Sequence, residues 1–311
     1  MTTPARTAHI SVRGPFELAR AIEMLSGWEP AQRHAQRPDG VLRLAFPLDG
    51  AFTPTAVAVR TDGDGVAVEV SGTDDLDAAA GQVARILSLD HDARDYSDVG
   101  RRDPAVGALM EILPGLRPVN FSSPYEAACW AVLSQRISMR QAAGIQKRIV
   151  AEHGRELTVA GEPVHCFPTP AALLGADALP SVPPTKAERM RAIARAALDG
   201  RLDAQRLRVL GDERAPAALR ELPGIGAFWS AGIYLRSCGI RDAFPPEPIC
   251  IAALGALHGA GDRPDTDTVR AITEPLRPYR MWVCFLLRVA AGKGLLPGIS
   301  GRESEIRRGA A

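Results

Sequence analysis

Leu222–Pro248 reads LPGIGAFWSAGIYLRSCGIRDAFPPEP. Upstream, APAALRE carries apolar residues at helical spacing into the turn LPGIG, and downstream AFWSAGIYLRSCG continues as a second helix. Gly224 and Gly226 permit φ > 0 and let a backbone approach a ligand closely. The second helix begins at about Ala227, so its unpaired first-turn N–H groups point out of the turn, which suits a phosphate oxygen. The other reading is a helix–turn–helix corner whose glycines serve packing alone. A loop then delivers one carboxylate, Glu247, between Pro246 and Pro248. Proline fixes φ and removes an N–H, so the loop is stiff. On its own, Glu247 reads as a positioned acid, as a pocket residue without catalysis, or as a solvated loop charge.

Helical patterns extend on both sides. PYEAACWAVLSQRISMRQAAGIQKRIVAEHG runs over several turns and stops at Gly154, and PTKAERMRAIARAALDG closes at Gly200. DTDTVRAITEPL and RMWVCFLLRVAAGKG complete a helical half. Before about residue 90 the chain mixes strands and helices. HISV, VLRLAFP, TAVAVR and DGDGVAVEVSG alternate like half-buried strands around a turn signal. GPFELARAIEML places Pro15 near the first turn of a helix with Phe16, Leu18, Ile22 and Leu25 on one face, and DDLDAAAGQVARIL reads as a capped amphipathic helix. The expected fold is an α+β amino-terminal domain over 1–100, a mainly α-helical domain over 101–298 in which the β signal fades, and a polar tail over 299–311.

Composition narrows the function classes. The chain has 311 residues, 46% hydrophobic and 23% charged, with a net charge of +1. It is long enough for a sizeable core without disulfides or metals. It is no polycation, so a nucleic-acid role needs a local patch. From Asp62 to Asp98 there are ten acidic residues against two arginines, whereas Lys186 to Arg208 carries seven basic against three acidic. The later part therefore suits a polyanion better. Lys186, Arg189, Arg191 and Arg195 share one helix, either as phosphate contacts or as a solvated face. The five cysteines are odd in number, widely spaced and without a C-x-x-C, and the six histidines form no ligand-spaced cluster. Neither a disulfide framework, an iron–sulfur site nor a metal centre is expected. With no signal-peptide or membrane-spanning pattern, a reducing cytoplasmic protein is expected, without a membrane role.

Three blocks together resemble the helix-hairpin-helix DNA glycosylases, in particular the bacterial 3-methyladenine DNA glycosylase II group. PYEAACWAVLSQRISMRQAA is similar to the family's helix with its Gln-containing bend, LPGIGAFWSAGIYLR to its hairpin, and RDAFPPEP to its acid-bearing loop. The resemblance covers roughly residues 9–296. It implies a base-excision DNA repair enzyme, a monofunctional glycosylase hydrolysing the N-glycosidic bond of a flipped, alkylated base in duplex DNA. No cofactor or obligatory protein partner is implied, beyond a monovalent cation that a hairpin can hold, and a nucleoid-associated location follows. By resemblance, Glu247 is the catalytic acid. Gln135, Arg136, Leu222, Gly224, Ile225, Gly226 and Ala227 meet DNA, with Arg136 as the wedge filling the gap. Phe228, Trp229 and Tyr125 line the base pocket. The family places an Asp in the loop, and here the two registers put Pro248 or Glu247 there. Asp242 is expected to cap the loop. Lyase relatives carry a Lys where Phe228 stands, which implies no Schiff-base step. The competing reading is a lesion-binding protein of the same fold that has lost the acid, and a third is a purely structural helical protein.

Overall fold

The computed structural model describes residues 6–31, 37–296 and 298–299. Apart from Ile299, the expected tail lies outside them. In chain order the described elements begin with β1 (Arg6–Ser11), α1 (Leu18–Gly27), β2 (Leu42–Pro47), β3 (Pro54–Asp62), β4 (Gly65–Ser71) and α2 (Leu76–Ile86). There follow α3 (Ser97–Arg102), α4 (Pro104–Ile112), α5 (Pro124–Leu133), α6 (Met139–His153), β5 (Arg155–Val159) and β6 (Glu162–Cys166). The chain ends with α7 (Pro170–Gly175), α8 (Pro184–Leu198), α9 (Ala204–Arg220), α10 (Ala227–Ser237), α11 (Pro248–Leu257), α12 (Thr266–Thr273) and α13 (Arg280–Gly292).

These elements form two compact units built from non-contiguous segments. The first comprises Met1–Val12, Leu18–Asp90 and Val119–Gly239. Its sheet is antiparallel in the order β1-β4-β3-β2. The β3–β4 turn pairs Asp62 with Gly65, as the DG signal predicts. Asp75 caps α2 by accepting from Ala78 N at 2.9 Å. Helices α5, α8, α9 and α10 pack on one another in the same unit. The division expected at residue 100 does not match this grouping. Arg85 of α2 donates to Asp49, to Ser122 O and to Ser237 O, so the α+β segment and the helical segment share buried polar bonds and one unit.

The β signal does not end at Arg101. Strands β5 and β6 pair around Ala160 and Gly161, both at positive φ, as a two-residue hairpin requires. Val159, Val164 and Cys166 bury themselves against Ala45, Ala56 and Ala58 of the main sheet. The signal was present in RELTVAGEPVHC, where alternation flanks a two-residue turn ending in Gly.

The second unit comprises Arg13–Glu17, His91–Pro118 and Ile240–Ala311. Helix α13 is buried over Met281–Leu287, and α4 and α11 pack on it. Tyr96, Tyr279 and Trp282 stack within about 5 Å of one another, with the Arg117 guanidinium 5.3 Å from the Trp282 ring. Arg117 also donates to Pro15 O at 2.8 Å and Arg13 O at 2.6 Å. Residues 13–17 are thereby held outside α1, which starts at Leu18 and not at Pro15; Leu18, Ala21 and Leu25 form its buried face, with Ile22 at the edge.

Candidate functional site

In the first unit, the turn between α9 and α10 is closed by Ile225 N–H donating to Leu222 O at 3.1 Å. Gly224 sits at φ +88°, a conformation that favours glycine, and a Cβ there would lie 2.9 Å from Arg189 Cδ and push that side chain aside. Gly226 does not use its conformational freedom. Its backbone is extended, at φ −90° and ψ −176°, and it occupies the N-cap of α10 without any side-chain cap. The first helical bond of α10 is Ser230 N–H to Gly226 O at 2.9 Å. The amides of the first turn thus emerge at an exposed stretch, Gly226–Phe228, with the positive end of the helix dipole behind them. Leu222 and Ile225 are 4% and 5% exposed. Their side chains pin the turn to the core, so only their main chain can meet a ligand.

The turn between α5 and α6 is bonded directly to this hairpin. Gln135 Nε2 donates to Gly224 O at 2.6 Å, and Arg189 Nη1 donates to Gln135 Oε1 at 3.3 Å. Lys186 Nζ donates to Leu133 O at 2.7 Å and Gln135 O at 2.6 Å. Burial, together with the neighbouring Arg189 charge, draws the Lys186 ammonium below its ordinary pKa. Arg191 is spent on Ala176 O and Asp177 O. Three of the four basic residues expected as phosphate contacts or solvated charges on α8 are therefore internal ties, because each reaches a main-chain carbonyl or Gln135. Arg195 is exposed. Arg136, in the middle of this bonded turn, is exposed and held at φ +59°. For a residue with a Cβ that conformation costs about 1–2 kcal/mol, and strain of this kind gathers at binding and switch sites.

The aromatic residues expected in a base pocket separate. Phe228 is 58% exposed on the first turn of α10. Trp229 packs against Trp130, Ala142 and Ala143, edge-on to Phe228 with ring centroids 5.6 Å apart. Tyr125 does not line an open pocket. It is 1% exposed, its hydroxyl donates to Pro168 O at 3.1 Å, and Phe52 and Phe167 meet its ring edge-on. Burial raises its phenol well above the ordinary value. Its spacing on α5 put it on a face that the core, not solvent, covers.

In the second unit, Glu247 is the N-cap of α11, and Pro248 takes the first helical position that proline favours. Glu247 Oε2 accepts from Cys250 N–H at 2.7 Å. Serine, threonine and aspartate are the usual caps; glutamate manages the same bond with one more methylene. The cap is half-buried, not a free loop charge. Asp242, expected as a cap, pairs instead with arginine side chains: Arg280 Nε lies 2.7 Å and Arg277 Nε 3.2 Å from its carboxylate oxygens. At the other end of α11, His258 Nε2 lies 2.8 Å from Asp103 Oδ2, a tie that no sequence spacing announced. Both ends of the acid-bearing helix are thus fixed by side-chain bonds.

All five cysteines are free and buried. Among the described residues no helix is long and apolar enough to cross a membrane. Among them, too, no group of three or more His, Cys, Asp or Glu is disposed to hold a metal ion.

No family model matches the chain. A solved structure, the 3-methyladenine DNA glycosylase from Archaeoglobus fulgidus, superposes with a TM-score of 0.74 over 91% of this chain and 97% of its own, at 22% identity. The fold is therefore that of the helix-hairpin-helix DNA glycosylases. In sequence the chain resembles the DNA-3-methyladenine glycosylases. It is 26% identical to the Bacillus subtilis enzyme of that name over 210 residues, covering 65% of this chain and 68% of the relative. It is 35% identical to the Escherichia coli DNA-3-methyladenine glycosylase 2 over 153 residues, covering 47% of this chain and only 52% of the relative. The match to the second relative thus spans about half of either protein.

Proposed function

We propose that this chain is a DNA glycosylase that hydrolyses the N-glycosidic bond of a damaged, alkylated base in duplex DNA, as the first step of base-excision repair. The observation that carries the reading is Glu247, a carboxylate set at the start of a proline-stiffened helix with one oxygen held by Cys250 N–H at 2.7 Å. Cleavage of the bond between base and sugar builds positive charge on the sugar, as in glycoside hydrolysis. A carboxylate fixed before the reaction stabilises that charge without reorganising and can orient the attacking water. The water oxygen bonds to the anomeric carbon, its proton is lost, and the base leaves with the electron pair of the broken bond. A cationic alkylated base is already a good leaving group, so modest electrostatic help suffices.

The other parts fit the same reading. The target base must leave the stack to be reached. The exposed α10 amides grip a phosphate, and the strained, exposed Arg136 fills the vacated space, its planar guanidinium stacking on the neighbouring bases. Phe228 offers an exposed ring beside the hairpin. Its presence where lyase relatives carry Lys supports hydrolysis without a Schiff-base step. Leu222 O and Gly224 O already accept bonds from Ile225 and Gln135, so a monovalent cation on the hairpin would share them. Action on chromosomal DNA places the protein at the nucleoid. The test is base release from duplexes carrying methylated or deaminated bases, by the wild type and by Glu247→Gln. Release by the wild type and its loss in the variant are expected. Equal release by both removes Glu247 from the mechanism, and tight binding of damaged duplex without release by either makes the chain a lesion binder.

A further inference from the structure

Helix α6 begins three residues after Arg136 and buries one face, made of Ala142, Ala143, Gln146, Ile149 and Val150. At 3.6 residues per turn, Arg140, Gly144, Lys147 and Arg148 fall on the opposite face. Arg140, Lys147 and Arg148 are exposed, as is Arg136 ahead of them. Some exposed arginines elsewhere in this chain sit beside a carboxylate, as Arg94 does with Asp92, Arg101 with Asp98 and Arg270 with Asp267. None of the four cations here has such a partner among the described residues. The single acid of α6, Glu152, lies beyond Arg148 and 3.4 Å from His153.

Gly144 supplies a second, independent observation. A glycine inside a helix costs about 1 kcal/mol relative to alanine, and packing gives no reason for it here: a Cβ at this position would meet nothing within 4 Å. It leaves bare backbone between Arg140 and the Lys147–Arg148 pair. Gly144 is half-buried, yet the space where its Cβ would stand is open, and glycine there admits the close approach of another backbone. From Arg140 to Lys147 the helix rises about 10 Å, close to three steps from phosphate to phosphate along one DNA strand at about 3.4 Å each.

We propose that the outer face of α6, carrying Arg140, Lys147 and Arg148 around Gly144, is a second duplex-DNA contact surface, which grips the sugar-phosphate backbone next to the Arg136 wedge and apart from the hairpin amides. The inference rests on the glycosylase reading for the identity of the polyanion. Its contacts are to phosphate, so they strengthen binding to damaged and undamaged duplex alike and leave the chemical step untouched. The experiment compares the wild type with the triple variant Arg140→Ala, Lys147→Ala, Arg148→Ala, using undamaged and methylated duplex over a salt series. The expected result is a slope of log K against log salt reduced by about 2–3, affinity about tenfold or more weaker for both duplexes, and unchanged single-turnover base release at saturating DNA. Gly144→Leu is expected to keep or raise the melting temperature while weakening binding. A triple variant with wild-type slope and affinity overturns the proposal and leaves the glycosylase reading standing. A wild type that binds DNA with an α6-dependent slope yet releases no base overturns only the catalytic reading, and a wild type that binds no duplex at all overturns both.

Discussion

Removing the Arg85 guanidinium is expected to break the first unit apart more severely than any other single polar change in it. Arg85 is 5% exposed and ties three segments distant in sequence, through Asp49, Ser122 O at 2.9 Å and Ser237 O. Gln82, one turn earlier, reinforces the same junction by accepting from Asp49 N–H at 2.8 Å and donating to Ser122 O at 3.0 Å. In Arg85→Met the aliphatic stem is kept and three acceptors lose their donor, one of them a carboxylate. Breaking a buried pair costs about 3–5 kcal/mol. Asp49 keeps 27% of its side chain exposed, so its stranded charge stays partly hydrated. The loss then sits at the lower end, about 3 kcal/mol. For a unit of this size that corresponds to a melting-temperature drop of about 6–12 °C.

A pH series isolates the mechanism. Burial pushes the Asp49 carboxyl above its ordinary value, and Arg85 beside it opposes that shift. A carboxyl raised in the folded state favours folding at low pH and disfavours it as pH climbs through the folded value. Without Arg85 the upward shift grows, so the deficit of Arg85→Met relative to wild type is largest at neutral and alkaline pH and shrinks on acidification. Adding Asp49→Asn to Arg85→Met recovers part of the loss, because the stranded charge is gone. A calorimetric or circular-dichroism melt reads all of this. A deficit below about 1 kcal/mol, the level of a single neutral hydrogen bond, or one that does not change between acidic and neutral pH, refutes the reasoning.

Three further outcomes are expected. Glu247→Gln keeps an oxygen for Cys250 N–H and loses only the charge facing the α11 dipole, about 0.3–1 kcal/mol of stability, while base release falls about 10²–10³-fold; a melt and a single-turnover assay on one preparation separate the two, and equal modest losses would sink the catalytic role. Arg136→Gly relieves the φ +59° backbone, so stability holds or rises by about 1 kcal/mol while kcat/KM for damaged duplex drops; unchanged kcat/KM denies the wedge. Gly224→Ala, forced against Arg189 at φ +88°, costs about 1–2 kcal/mol, whereas Gly226→Ala stays within about 0.5 kcal/mol of wild type. Equal losses in urea titrations would show that the two glycines play the same role.

Local chemistry made much of this molecule legible. The four-stranded sheet follows from alternation and the DG turn, the Asp75 cap from its spacing to the apolar run, and the hairpin from Gly224 between two helical patterns. Glu247 was identifiable because prolines flank it, and its position at a helix start follows from Pro248. These features depend on residues within a few positions of one another, where φ/ψ preferences and periodicity act directly. Side-chain partners across the chain did not follow from such rules. Lys186 and Arg189 read equally well as phosphate ligands or surface charges, and the fold uses them on Leu133 O, Gln135 and the Gly224 turn. Tyr125 and Trp229 sat at helical spacings that fit a pocket or a core, and only packing against Phe167 or Trp130 decided for the core.

By itself, then, the sequence determined the four-stranded sheet, the longer helices, the hairpin, and an acid held by prolines, since each is encoded by neighbours in the chain. Tertiary structure alone decided that residues 18–90 and 119–239 share one unit, that Gly226 is an extended cap, and that the cations of α6 have no carboxylate beside them among the described residues. Those outcomes depend on which groups meet across 36 to 152 residues, as around Arg85, and pairing at that distance is selected by the free energy of the whole packed chain.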